Sequence, residues 1–228
     1  MYIYGKNVIK EALKNNEKIK KIYLYKNFND KEILTSLERM NIKIEYLEKY
    51  ELDKLVNANH QGIILKVDDF NYSDLSVCFS SDLIVILDHI EDPHNFGAII
   101  RTCEAAGIKN IIIPKDRAVD VNSTVIKVST GAINDVNIIQ VVNLSQTIEI
   151  LKEKGFWIVG TSLDGTDYKK IDYSGKTVIV IGNEGKGMSK KIKDKCDFIA
   201  NIPMKGKTNS LNASVAAGII IFEAIRKE

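Results

Sequence analysis

From residue 83 onward, short apolar runs alternate along the chain with longer segments that have the apolar spacing of helices. The runs lack polar alternation, which is typical of strands buried on both faces. Strands of this kind, separated by helices, form mostly parallel sheets with helices packed on both sides. The pattern therefore predicts an α/β fold. The predicted strands are 83–87, 110–113, 136–142, 156–161, 178–181 and 198–202, and the predicted helices are 95–106, 122–128, 144–154 and a segment after residue 210.

Residues 1–67 repeat this alternation on a smaller scale. Residues 68–80 are polar and rich in turn formers without a clear period, so we interpret them as a linker. The chain is thereby divided into a small α/β domain (1–67), the linker (68–80) and a larger domain (81–228). In the small domain, helices are expected near 7–14, from residue 30 and near 51–56, and strands at 21–25, 42–46 and 62–67.

Composition narrows the cellular setting. No apolar run approaches the roughly 20 residues that span a bilayer, and the first ten residues lack the apolar core of a signal peptide. We therefore expect a cytoplasmic protein without a membrane partner. The cysteines Cys78, Cys103 and Cys196 are widely spaced and include no CxxC pair, which favours reduced core residues over a disulfide framework.

Positive charge is concentrated at the start of the chain, although the net charge is only +2. Lys10, Lys14 and Lys18 recur at four-residue spacing and would line one face of a helix. Such a face could bind RNA phosphates, but a solvated helix face explains the spacing equally well. Arginine is rare in this chain. Arg101 is therefore a candidate functional residue, because its planar guanidinium can form paired hydrogen bonds that lysine cannot form.

Two apolar runs late in the chain each end in a turn of small and polar residues. The run 178–181 is followed by GNEGKG, and the run 198–202 is followed by Pro203 and, later, by SLNAS at 210–214. Open α/β sheets bind ligands at the carboxyl ends of their strands, so we expect a ligand here. The glycine loop matches neither the dinucleotide nor the triphosphate fingerprint. Taken singly, Glu184 is typical of a cap or surface charge, and Ser210 of an N-cap.

The segment 88–95, DHIEDPHN, could be a metal site or an ordinary loop before a helix. Its histidines and carboxylates lack the familiar metal spacings, and no further ligand cluster occurs elsewhere. We therefore predict no metal. The simpler interpretation is a loop in which Pro93 sets the turn and Asn95 caps the helix. Arg101 follows six residues later and would be either part of the site rim or an ordinary surface residue.

In their joint order these segments resemble the three motifs of the SpoU (TrmH-like) 2'-O-ribose RNA methyltransferases. The motifs are Asn95 with Arg101, then IGNEGKG at 181–187, then IPMKGKTNSLNASVAAG at 202–218, and the resemblance runs from about residue 83 to 226. The N-terminal domain, with GKNVIKEAL at 5–13 and HQGI at 60–63, looks like the branch that methylates a guanosine of 23S ribosomal RNA. We find no departure at the motif positions.

The resemblance implies a knotted fold of the SPOUT trefoil type, preceded by a small RNA-binding domain like that of a ribosomal protein. It further implies S-adenosylmethionine as methyl donor, no metal, RNA as partner and a homodimer. Arg101 would contact the RNA phosphate and help to remove the ribose hydroxyl proton. The other implied residues are Asn95, Glu184, Ser210 and Asn212 for positioning at the catalytic site, and Thr161, Gly182, Ile202, Met204 and Leu211 for the cofactor.

Other functions stay open at this point. The shared motifs describe the catalyst and not its target, so transfer RNA or another ribosomal site could be methylated instead. A non-catalytic RNA-binding protein, for instance a ribosome assembly factor, would be free to lose Asn95, Arg101 or Asn212, yet all three are present. A metal hydrolase built on residues 88–94 would contain bound metal.

Overall fold

The computed structural model describes residues 1–14, 18–40, 42–207 and 210–226, and it divides the chain into two compact units, Met1–Asn71 and Tyr72–Glu228. This division differs from the interpretation of 68–80 as a linker. Ser73 donates its backbone N–H to the carbonyl of Ile138, and Cys78 lies buried in the core of the second unit. Residues 72–80 are therefore part of the second unit.

As far as the structure describes it, the first unit is a four-stranded mixed sheet with three helices. The sheet has the order β1-β4-β2-β3, in which β4 is antiparallel to both neighbours and β2 is parallel to β3. Sequence patterns did not predict the short first strand. The elements are β1 (Tyr2–Tyr4), α1 (Lys6–Lys14), β2 (Ile19–Tyr25), α2 (Lys31–Glu38), β3 (Ile44–Leu47), α3 (Lys49–Leu55) and β4 (Ile63–Val67).

Helix α1 buries Val8, Ile9 and Ala12, which recur at helical spacing and leave the lysines of the helix on its outer side. The described part of α1 runs to Lys14, and Lys18 is not helical, so the expected three-lysine helix face is wrong in that respect. Residues 15–17 lie outside the described part of the chain.

The second unit is a six-stranded sheet in which every neighbouring pair is parallel, with the order β10-β8-β9-β5-β6-β7. The predicted α/β fold with a mostly parallel sheet is thus confirmed. The elements are β5 (Leu83–Asp88), α4 (Pro93–Ala105), β6 (Asn110–Pro114), α5 (Ser123–Ser129), β7 (Asn137–Val141), α6 (Leu144–Glu153), β8 (Trp157–Asp167), β9 (Thr177–Gly182), α7 (Lys190–Lys193), β10 (Phe198–Asn201) and α8 (Ala213–Arg226); short 3₁₀ helices lie at Leu75–Cys78, Ala132–Asn134 and Tyr168–Lys170.

Both faces of this sheet are covered. On one face, alternate strand residues such as Ile86 and Val180 pack with Ile148 of α6 and Ile192 of α7. Helix α4 contacts α5 and α8, and α8 contacts β9, so these helices form the other layer. No helix within the described ranges is long and apolar enough to cross a membrane.

Helix α8 has apolar residues on two sides. On its outer side, Val215 and Phe222 are each 49% exposed. The buried side instead carries small residues such as Ala213 and Ala217, which let α8 approach α4 closely, and Ile220 and Ile221 follow them. An apolar stripe thus remains on the outer side of α8.

Candidate active site

The site begins where the parallel strands β5 and β9 end side by side, with Asp88 opposite Gly182 in the register. The loop before α4 therefore emerges next to the glycine loop that follows β9. Neighbouring parallel strands place the residues after their carboxyl ends at one edge of the sheet. Segments about ninety residues apart in the sequence are brought together in this way.

Asn95 connects the start of α4 with the glycine loop and with the segment before α8. It lies in the first turn of α4 and is only 6% exposed. Its Nδ2 donates to Oε1 of Glu184 at 2.9 Å, and its Oδ1 accepts from Nδ2 of Asn212 at 2.8 Å. The prediction that Asn95 caps α4 is wrong, because Asp92 is the N-cap and accepts from the backbone of His94. Its side chain is thereby free to connect the other two segments.

Asn212 caps the last helix, a role that sequence patterns assigned to Ser210. Its Oδ1 accepts from the backbone N–H of Ser214 at 2.9 Å and of Val215 at 3.4 Å. An asparagine in this position satisfies donors that the first helical turn leaves unpaired. Ser210 instead lies exposed in the approach to the helix. The polar chain from Glu184 through Asn95 thus ends on the helix N-terminus.

Arg101 stands apart from this chain. It is exposed on α4, six residues or about 9 Å along the helix axis from Asn95. Within the described ranges it takes part in no ion pair. A guanidinium in this position is accessible to an anionic ligand, and its role at the site remains a prediction.

A cavity of about 480 Å³ opens beside the glycine loop. It is bordered by the loop itself, by the middle of β8 and by the segment that leads into α8. All five residues expected to hold the cofactor line it, together with two of the expected catalytic residues, whereas Asn95, Arg101 and Asn212 do not. The lining residues named from the sequence are Thr161, Gly182, Glu184, Ile202, Met204, Ser210 and Leu211.

Gly182 and Asn183 determine the backbone conformation of the glycine loop. A Cβ on Gly182 would lie 2.3 Å from the backbone nitrogen of Met188, so only glycine fits there. Asn183, which sequence reasoning missed, donates from Nδ2 to the carbonyl of His89 at 2.6 Å and accepts on Oδ1 from Gly185 at 3.0 Å. Its position directly after a buried strand was the available signal.

Asp88 is a second residue that sequence reasoning did not assign. It is 1% exposed at the end of β5, and its Oδ2 accepts from the backbone N–H of Ser189 at 2.8 Å. Its Oδ1 contacts Nδ1 of His89 at 2.5 Å. The described ranges contain no group of three histidine, cysteine or carboxylate side chains able to hold a metal ion. The carboxylate therefore fixes the far end of the glycine loop.

Two further contacts shape the rim of the cavity. Thr161 donates its Oγ1 to the carbonyl of Val180 at 3.0 Å, which ties β8 to β9. Lys193 lines the cavity, and its Nζ lies 2.6 Å from Oδ2 of Asp164 in an ion pair. The hydrogen bond from Lys193, followed by that from Ser162, lowers the pKa of the Asp164 carboxyl to about 2.

The lysines expected to contact RNA belong to the first unit and are not equivalent. Lys10 forms an ion pair with Glu32, whose hydrogen bond raises the lysine pKa. Lys14 and Lys18 are exposed. Their spacing predicted a single helix face, but Lys10 is paired with Glu32 and Lys18 is not helical. Their contact with RNA stays a prediction.

Comparisons with known proteins agree with this architecture. Residues 82–222 match the model of the SpoU rRNA methylase family, and residues 2–73 match a model described as RNA 2'-O ribose methyltransferase substrate binding. A TrmH-family tRNA/rRNA methyltransferase of Bacillus subtilis (strain 168) is 40% identical over 99% of this chain and 95% of its own length.

Two solved structures extend the comparison. An AdoMet-bound rRNA methyltransferase from Sinorhizobium meliloti is 27% identical with a TM-score of 0.80, covering 99% of this chain and 86% of the other. A TrmH/SpoU tRNA modifying enzyme from A. aeolicus is 36% identical with a TM-score of 0.60, covering 67% and 81% of the two chains. With both of its units matched by family models, the chain belongs to the SpoU family of RNA methyltransferases.

Proposed function

We propose that this protein transfers a methyl group from S-adenosylmethionine to the 2'-hydroxyl of a ribose in RNA, in the cytoplasm. The observation that carries the proposal is the polar chain in which Asn95 joins Glu184 to Asn212. It brings together the loop-helix, the glycine loop and the start of α8 next to one cavity. The three motifs that carried the family resemblance thereby meet in space.

The cavity residues fit S-adenosylmethionine. Gly182 lets the backbone of the glycine loop close tightly, and the walls combine apolar side chains such as Leu211 and Met204 with exposed backbone groups. Cofactor pockets are mostly apolar with a few convergent polar groups. The bound molecule supplies a methyl group already activated by its sulfonium. The Sinorhizobium meliloti structure, which contains AdoMet, supports the assignment.

The protein has to make the ribose hydroxyl nucleophilic and align it. We assign Arg101 to the phosphate and to the developing alkoxide, because a guanidinium stays protonated in proteins and is therefore a poor proton acceptor. Asn95 holds Glu184 and Asn212 in place, and Ser210 lies at the cavity wall. Alignment of the reacting atoms can supply much of the rate enhancement.

The role of Arg101 is tested by Arg101→Lys, which keeps the charge and removes the planar fork. Turnover should fall by roughly tenfold or more, while the dissociation constant for S-adenosylmethionine stays unchanged. The same exchange at Arg226, on the last turn of α8, is the matched control. Near-full turnover of Arg101→Lys at unchanged RNA affinity would refute the assigned role.

Methyl transfer is tested by incubating the protein with tritium-labelled cofactor and bulk RNA. Label should appear on ribose 2'-oxygens. Label confined to bases would exclude ribose methylation. Calorimetric titration with S-adenosylmethionine supplies the second measurement, since absence of binding would favour the non-catalytic RNA-binding protein.

We further propose a guanosine of 23S ribosomal RNA as the target. The N-terminal segments GKNVIKEAL and HQGI, the substrate-binding match over 2–73 and the ribosomal substrate class named for the Sinorhizobium meliloti enzyme support it. The tRNA modifying enzyme from A. aeolicus matches only about two thirds of this chain. Mapping 2'-O-methyl groups in RNA from a deletion strain should reveal one missing guanosine methyl in 23S RNA; a loss in transfer RNA would contradict the target.

A homodimer and the trefoil knot complete the proposal. The outer stripe of α8, with the half-exposed Val215 and Phe222, supports an interface between two copies. Phe222→Lys should halve the mass measured by sedimentation, whereas Val142→Lys, at an exposed apolar residue elsewhere in this unit, should not change it. In the sheet, β9 lies between β8 and β5, and β8 lies between β9 and β10. The strands thus do not follow one another in chain order, which supports a non-sequential winding of the kind the resemblance implies.

A further inference from the structure

The first unit contains a cavity of its own, with a volume of about 460 Å³. Two aromatic rings, two lysines, several side-chain amides, a histidine and one carboxylate border it. The lining of the cavity in the second unit, as far as the structure describes it, includes no aromatic ring and no histidine. The polar and aromatic lining residues are Lys6, Tyr25, Asn27, Phe28, Asn29, Lys49, Asp53, Asn59, His60 and Gln61.

One wall of the cavity is a backbone turn at Gln61 and Gly62, with φ angles of 53° and 84°. His60 holds this turn while being 4% exposed. Its Nδ1 accepts from the backbone N–H of Gly62 at 3.0 Å, so its Nε2 carries the proton and donates to Asp53 at 3.0 Å. Left-handed backbone at a non-glycine residue persists only where the surroundings impose it, and it occurs often at ligand sites.

The turn is also tied to the start of α1. The side-chain Oε1 of Gln61 accepts from the backbone N–H of Lys6 at 2.8 Å. A Cβ on Gly62 would lie 3.2 Å from Cδ2 of Phe28, so the glycine lets this ring pack against the backbone. The rings of Phe28 and Tyr25 remain only partly buried. The HQG segment thus builds a preformed wall beside accessible aromatic rings.

Positive charge lies at the same opening. The Nζ of Lys6 is 5.3 Å from the centroid of the Phe28 ring and 3.3 Å from Oδ2 of Asp30. Lys49 is exposed at the first position of α3 and has no ion-pair partner within the described ranges. An aromatic face, amide donors and acceptors, and an ammonium group match the base face, base edge and phosphate of a nucleotide.

We propose that this cavity binds one unpaired nucleotide of the RNA substrate, displaced from its helical stack. The base packs on Phe28 and Tyr25, the amides of Asn29 and Gln61 read its edge, and Lys49 contacts the phosphate. A base within a duplex cannot enter, since both of its faces are covered by neighbours. The inference rests on the proposed RNA methylation, because it assigns to the first unit the reading of a bulge or loop near the target.

The test uses the full-length protein and two RNA hairpins, identical except that one carries a single bulged 2-aminopurine nucleotide. The wild-type protein should bind the bulged hairpin about tenfold more tightly, and binding should change the 2-aminopurine fluorescence. Phe28→Leu should abolish most of that preference. Phe79→Leu is the matched control, because Phe79 is likewise a half-buried ring with a lysine Nζ 5.1 Å from its centroid, but it belongs to the second unit.

Asn29→Ala is a second variant, which tests the inference even if Phe28→Leu does not fold, because Asn29 is exposed at the edge of the cavity. It should reduce the preference for the bulged hairpin and leave the affinity for the paired hairpin unchanged. Equal wild-type affinity for the two hairpins, or full preference in both variants, would overturn the inference. Label transfer to bulk RNA is measured in parallel. Transfer without bulge preference refutes only this inference, whereas bulge preference without transfer refutes the proposed methylation alone.

Discussion

The two cavities of this protein are built in different ways. In the second unit, Asn95 bonds to Glu184 and Asn212, which are 89 and 117 residues away in the sequence. In the first unit, His60 bonds to Gly62 and Asp53, which are two and seven residues away. The contacts beside the cavity of the second unit require that distant segments be folded together, whereas the bonds of His60 lie within one local stretch, which Gln61 ties to the start of α1. Substitutions should therefore be coupled in the second unit and local in the first.

The largest effect is expected for Asn95→Ala. Removal of the amide leaves the Nδ2 of Asn212 without its acceptor and releases Glu184. The rate of methyl transfer should fall about 100-fold through misalignment, and the free energy of unfolding should fall by about 1–3 kcal/mol. Single-turnover kinetics and thermal unfolding measure the two quantities.

Asn134→Ala, at an exposed asparagine of the same unit, is the control and should change neither quantity. The double variant Asn95→Ala with Asn212→Ala should be little slower than either single variant, because each already breaks the same chain. Rate losses that simply multiply would show that the two side chains act independently.

The glycine loop offers a matched pair of substitutions. An added Cβ on Gly182 would lie 2.3 Å from the nitrogen of Met188, whereas one on Gly185 would meet nothing closer than 3.7 Å. Gly182→Ala should therefore weaken S-adenosylmethionine binding by about tenfold, since a forced backbone shift costs about 1–3 kcal/mol. Gly185→Ala should bind normally. Equal affinities by calorimetry would show that loop closure does not set the shape of the cavity.

In the first unit, His60→Ala should have a smaller and local effect. The backbone N–H of Gly62 loses its acceptor, which destabilises the protein by about 1–3 kcal/mol. The affinity for S-adenosylmethionine should stay at the wild-type value, because the substitution lies outside the unit that forms that cavity. His94→Ala, at an exposed histidine, is the control for stability. Weaker cofactor binding in His60→Ala would contradict the independence of the two units.

The smallest effect concerns the Asp164–Lys193 pair at the cavity rim. The pKa of Asp164 is held at about 2, below its ordinary value of 3.8. A lowered folded-state pKa adds stability that is fully present above pH 3.8 and is lost as the pH falls through about 2. The melting temperatures of wild type and Asp164→Asn should thus differ slightly at pH 7 and converge near pH 2. A constant difference across this range would exclude the ion pair as its cause.

Much of the fold could be predicted because strands buried on both faces have a simple apolar signature. The run 83–87 and its successors indicated a parallel sheet, which the structure contains. The signature fails where packing decides between two apolar faces. The outer stripe of α8 contains Val215 and Phe222, yet the buried side is the one whose alanines allow close approach to α4.

The site shows the same limit. Position next to a strand end indicated residues such as Gly182 and Glu184, and family resemblance supplied the remainder. Local sequence rules suggested Asn95 and Ser210 as helix caps, but the caps are Asp92 and Asn212. Whether a polar side chain caps its own helix or bonds to a distant segment depends on which partners the fold brings near, and spacing along the chain does not contain that information.

The attachment of the glycine loop at both of its ends has a thermodynamic consequence. Asn183 binds the carbonyl of His89, and Ser189 binds the carboxylate of Asp88, so the loop is anchored to the segment that leads into α4. A ligand that binds against the loop therefore acts on the same segment that leads into the helix with Asn95 and Arg101. If the bound methyl donor changes the affinity for RNA by some factor, thermodynamic linkage requires that bound RNA change the affinity for the methyl donor by the same factor.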